Sequence, residues 1–94
     1  MERDLKKEDL ISPGEILIND DGCVAILMAG LCDVDMILER EKIIRNVLKL
    51  FGDQYKIVER IEGKPDRFGP IVLLKTNLPW SMIKECFHDH ESHY

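Results

Sequence analysis

The chain of 94 residues lacks the long apolar run that a membrane helix needs. Its longest apolar stretch, CVAILMAGLC at 23–32, is only ten residues. Its opening, MERDLKKEDLISPGE, has no apolar block between its charges, which argues against a secretory leader. Cysteine is scarce, with Cys23, Cys32 and Cys86 alone. An odd number of cysteines without an export signal predicts a reduced, cytoplasmic protein rather than a disulfide framework. No P-loop and no dinucleotide-binding glycine fingerprint occurs. None of the three serines sits in a Gly-x-Ser-x-Gly turn. There is no internal repeat and no low-complexity segment. No set of residues combines a nucleophile, a base and an oxyanion donor, so the expected function is not enzymatic and needs no cofactor.

What the sequence does contain is an ordinary globular balance. Hydrophobic residues are 45% and charged residues 33%, which argues for a packed core over disorder. The length suits one domain with a core of two layers. The formal charge of −5 repels phosphate backbones, so direct nucleic-acid binding is not expected. The reading divides the chain into a charged segment at 1–12, a single α+β domain at 13–88 and a tail at 89–94. A short helix fits residues 4–10, and Pro13 must end it.

The clearest local signal is EILINDDGCVAILM. Two apolar runs flank Asp21-Gly22, a dipeptide favoured in two-residue type I′ hairpin turns. That turn would set Ile18 opposite Ala25, Leu17 opposite Ile26 and Ile16 opposite Leu27. Residues 33–52 predict a helix. Asp33 or Asp35 caps it, and Ile37, Ile44, Val47, Leu48 and Phe51 fall on one face. Gly52 suits a left-handed residue after its last turn. QYKIVERIEG at 54–63 predicts a strand with Tyr55, Ile57 and Ile61 on one face. Glu59 interrupts that face and places the strand at a sheet edge. PIVLLK at 70–75 predicts a short buried strand. A second helix should follow, capped by Asn77 with Pro79 in its first turn. Trp80, Ile83 and Phe87 would line its apolar face.

The element order is then β-β-α-β-β-α. Right-handed crossover rules close it as a four-stranded antiparallel sheet with both helices on one face. The spatial order is 15–19, 23–29, 70–75, 55–62. The arrangement resembles a circular permutation of the ferredoxin-like sandwich. Both central strands are apolar on both faces, so one apolar face is left without a helix over it. With Leu17 opposite Ile26, that open face is expected to present Leu17, Val24, Ile26, Met28, Val72 and Leu74. It would be the docking surface of a small acidic protein-binding or regulatory module that engages a protein partner or a second copy in a homodimer, with no role at a membrane.

Three stretches invite a chemical reading. Cys86, His88, His90 and His93 have the ligand types of a zinc site, but all four come from one short terminal segment. Closed zinc sites draw ligands from two elements, so a solvated tail is the expectation and a metal or small-ligand sensor the alternative. Asp20, Asp21, Asp33 and Asp35 are explained by a tight turn and a helix cap. RFGPIVLL at 67–74 resembles the aromatic strand of RNA-binding sheets only in one aromatic. A further alternative is an acidic decoy of a nucleic-acid-binding protein.

Overall fold

A computed structural model describes residues 5–11, 14–30 and 33–84. The hairpin is built from β1 (Glu15–Ile18) and β2 (Cys23–Met28), followed by α1 (Val34–Phe51), β3 (Ile57–Glu62) and β4 (Val72–Pro79). Residues 80–84 are helical and open a second helix. The four strands form one antiparallel sheet in the order β1-β2-β4-β3. This is the order that crossover rules require of the β-β-α-β-β-α sequence, with β3 at an edge. No helix among the described residues is long and apolar enough to cross a membrane.

The hairpin turn differs from expectation by one residue. Leu17 pairs with Ala25, Ile16 with Ile26 and Ile18 with Val24. The loop therefore has three residues, Asp20-Asp21-Gly22. The carbonyl of Asn19 accepts the Gly22 N–H at 2.9 Å, and Asn19 N–H donates to Cys23 O at 2.9 Å. Asp21 Oδ1 accepts the Cys23 N–H at 2.9 Å. Gly22 has φ +82°, and no non-glycine residue among those described has positive φ. A type I′ turn needs positive φ at both central residues, and Asp21 does not supply it. A turn with one positive-φ glycine at its end fits instead, and it slips the register by one. Gly22→Val is therefore expected to cost about 2 kcal/mol, because a β-branched side chain resists positive φ. Gly22→Asn, which tolerates that conformation, should cost clearly less. Urea unfolding of the two variants separates backbone strain from loss of a contact. Equal stability of the valine variant and the parent would contradict the turn.

Helix α1 forms as its pattern dictates. Asp33 Oδ1 accepts the Met36 N–H at 2.8 Å, so Asp33 is the cap. Ile37, Ile44, Val47 and Leu48 are buried. The helix ends at Gly52, whose φ of 149° and ψ of 150° are not left-handed helical. Gln54 lies against the side where a Cβ would stand, so the position is held open for a close approach. Ahead of the sheet, a 3₁₀ turn at Lys7–Leu10 packs against α1. Asp9 closes it by accepting the Lys6 N–H at 2.8 Å. Leu10 from this charged segment is fully buried in the core.

Strand β4 runs four residues beyond Lys75, so Asn77 and Pro79 lie in the strand and do not cap a helix. A bulge makes this possible: Ala25 pairs with Lys75, but Cys23 pairs with Pro79. Beside this bulge Thr76 bonds the Val24 carbonyl. Thr76 Oγ1 donates to Val24 O at 2.8 Å and accepts the Leu78 N–H at 3.2 Å. Thr76 is itself buried, and these two bonds satisfy its hydroxyl. Asn77 clamps the entrance to β3. Its Oδ1 accepts the Lys56 N–H at 2.7 Å, and its Nδ2 donates to Gln54 O at 2.8 Å.

Strand β3 has its own bulge between Ile57 and Glu59. Ile57 pairs with buried Thr76, and Ile61 pairs with Leu73. The extra residue, Val58, thus puts Ile57 and Ile61 on opposite faces, where simple alternation set them on the same one. Val58 itself is 55% exposed.

Candidate functional site

The core shows which sheet face the helices cover. Val24, Ile26, Met28, Val72 and Leu74 are all buried, in one cluster with Ile37, Ile44, Val47 and Leu48 of α1. Leu10 and Ile83 complete the same cluster. Five of the six residues expected on the open face therefore lie beneath α1. Leu17 alone, 39% exposed, is on the side expected. The one-residue slip at the hairpin separates Leu17 from Ile26. Once Leu17 pairs with Ala25, the face it belongs to is Ala25 and Leu27, not Ile26.

The open face is built from the alternate residues. Leu27 lies opposite Leu73, and Leu73 lies opposite Ile61. With Leu17 and Ala25 they make an apolar surface that spans all four strands. Ala25 is buried between its larger neighbours, Leu27 and Leu73 are half-buried, and Ile61 is 36% exposed. The rim of this face carries charge of both signs. Glu15 is opposite Leu27, and Lys75 pairs with Glu59 across β3–β4 at 3.8 Å. Lys75 was the sequence signal that could have identified this face. It follows Leu74 in β4, and a lysine in a central strand marks the side that reaches water.

Cys23 begins this face and is half-buried rather than enclosed. Partial burial first, and the carboxylate of Asp21 second, raise its thiol above the ordinary value. A thiol held protonated is a poor nucleophile. Asp20 and Asp21 serve the turn, and Asp33 serves the helix cap. Among the described residues no group of three or more His, Cys, Asp or Glu side chains could hold a metal ion. Cys32, Cys86, His88, His90 and His93 lie outside the described residues. Phe68 is 62% exposed, with the Arg67 guanidinium 5.7 Å from its ring centre, in the turn before β4 and not on a sheet face.

A second feature lies on the other side of the sheet, at its β3 edge. Glu41 stands on the apolar stripe of α1 between Ile37 and Ile44, and it is only 3% exposed. Arg60 of β3 reaches it, bonding Glu41 through Nε and Glu62 through Nη1 at 2.8 Å. Glu62 first and Glu41 second raise the Arg60 guanidinium above its ordinary value. Beside this network α1 and β3 enclose a groove of about 690 Å³. Its walls include Lys42, Arg45 and Lys49 from the helix and Lys56 from the loop before β3. In the sequence Lys42, Arg45 and Lys49 fall off the apolar stripe of the helix, and Lys56 lies inside the strand expected at 54–63.

No known protein family, curated protein or solved structure matches this chain. The functional reading therefore rests on the two surfaces themselves.

Proposed function

We propose that this chain is a small, non-enzymatic protein-interaction module that pairs with a second copy through the open face of its sheet. On this reading its β-β-α-β-β-α scaffold is a circularly permuted ferredoxin-like sandwich whose uncovered face is the binding surface. The observation that carries it is the apolar surface of Leu17, Ala25, Leu27, Ile61 and Leu73, set on the side of the sheet away from α1. Soluble chains rarely leave a contiguous apolar surface of this kind bare. A symmetric dimer needs a patch complementary to itself. Here an apolar centre is rimmed by Glu15, Glu59 and Lys75, so a lysine of one copy can meet a glutamate of the other. A strongly acidic or strongly basic partner would find part of that rim repulsive.

Sedimentation of the intact chain tests this. The parent is expected to sediment as a dimer, and Leu27→Lys as a monomer with unchanged circular dichroism. The introduced ammonium lies across from Glu15, so it does not strain the fold. A parent that stays monomeric at every concentration overturns the reading. So does a Leu27→Lys variant that is folded and still dimeric.

A further inference from the structure

We infer that the groove between α1 and the β3 edge is a second binding site, which takes an acidic peptide segment in extended conformation. The first argument is charge. The protein carries a formal charge of −5, yet four cations gather in this one groove. Lys42, Arg45, Lys49 and Lys56 enter no ion pair among the described residues. Of the two acids in the same wall, Glu59 is turned to Lys75 on the other sheet face. Among the described residues of this wall, Asp53 alone is left to oppose four cations. Elsewhere the chain pairs charge closely, as Arg60 does with Glu41 and Glu62. A concentration of unpaired cations beside a concave surface is complementary to an anion.

The second argument is geometry. β3 is an edge strand, so one row of its main-chain groups has no partner strand among the described residues. Gly63 N–H donates to Ile71 O at 2.9 Å. By the alternation of an antiparallel ladder, Ile61 and Glu59 bond toward β4, and Arg60 and Glu62 turn their main-chain groups outward. An added strand can bond there, in the mode by which extended peptides extend sheets. Its alternate side chains would enter the groove under α1. Lys42, Arg45 and Lys49 follow one another at helical spacing along one stripe of α1 and span about 10.5 Å of it. Carboxylates on alternate residues of an extended chain stand about 6.6 Å apart, so two or three of them cover that stripe. A nucleic acid has no use for the free main-chain edge, and the chain's overall charge repels it. An acidic strand uses both features.

The probe is a labelled eight-residue peptide of alternating glutamate and valine, followed by fluorescence anisotropy and by amide shifts of the intact chain. Saturable binding is expected, with shifts in β3 and in the second half of α1. Lys42→Glu/Lys49→Glu, both exposed positions, should weaken binding at least tenfold while circular dichroism and sedimentation stay those of the parent. Replacing a central valine of the peptide by proline keeps the charge and removes a strand donor, and it should also weaken binding at least tenfold. The inference is overturned if the peptide does not bind, if the charge-reversed protein binds it equally, or if the proline peptide or a single-stranded oligothymidylate binds as well. The last two outcomes would mean a general anion surface. This site and the dimer face lie on opposite sides of the sheet, so loss of one leaves the other measurable.

Discussion

Ile26→Lys is expected to abolish folding, while Leu27→Lys, one residue further along the same strand, leaves it intact. Ile26 has no exposed surface and packs among Leu74, Val24 and the α1 residues of the core. A lysine there loses about 2–3 kcal/mol of apolar burial. It also sets an unpaired ammonium among apolar groups, at a cost of several kcal/mol more. Domains of this size have only about 5–15 kcal/mol in total. Leu27 is half-buried on the opposite face, where the ammonium can reach water. Its substitution should cost about 1 kcal/mol, as an average point substitution does. Thermal unfolding by circular dichroism reads both. A cooperative transition in Ile26→Lys near that of the parent would mean that the two sheet faces have been exchanged. The substitution at Ile26 cannot serve as a probe of association, because it removes the fold first.

Arg60→Met is expected to destabilise the chain by about 2–3 kcal/mol, because it leaves the Glu41 carboxylate enclosed without its cation. The figure is set below the usual range for broken buried pairs because the Arg60 side chain remains 32% exposed. Substituting both partners tests the mechanism. Glu41→Leu/Arg60→Met replaces the pair by apolar groups on a helix stripe that is otherwise apolar, and it should lie within about 1 kcal/mol of the parent. Chemical unfolding of the two single variants and the double variant completes the cycle. A double variant as unstable as the sum of the singles would mean that each side chain acts alone. A further consequence concerns placement. Arg60 links the middle of α1 to the β3 edge, so loss of the pair should also loosen the wall of the basic groove.

The opposite fates of neighbouring residues show where local pattern stops being informative. Helix α1 was legible because its code is redundant. Asp33 supplies a cap, four aliphatic residues repeat at helical spacing, and Gly52 ends it, so no single position decides the element. Strand order was legible because topology is constrained: one helix between two strands, and one strand returning between them, admit few closures. The hairpin was legible as a hairpin but not in register. Asp-Gly at the tip suits both a two-residue and a three-residue loop. Only the φ of Asp21 distinguishes them, and that depends on how the two strands twist together. A slip of one residue then moved Leu17 from the side of Ile26 to the side of Ala25 and Leu27. The same limit applied at β3, where the bulge at Val58 broke the alternation that would set Ile57 beside Ile61.

The candidate sites divide in the same way. The sequence by itself determined that one apolar sheet face would lack a helix, because both central strands are apolar on both sides and the crossover rules put both helices on one of them. It did not determine which residues form that face. That depends on which side of the sheet α1 packs against and on the Asp20-Asp21-Gly22 loop, which sets Leu17 opposite Ala25, and both are fixed only once the elements meet. The basic groove was decided entirely by tertiary structure. Lys42, Arg45 and Lys49 share a stripe of α1 by helical spacing alone, but nothing local brings Lys56 or the free edge of β3 against them. That meeting follows from the crossover that carries the chain from β2 through α1 to the far edge of the sheet. Periodicity along a chain reports which side chains share a face of one element, and only the packing of elements reports what that face meets.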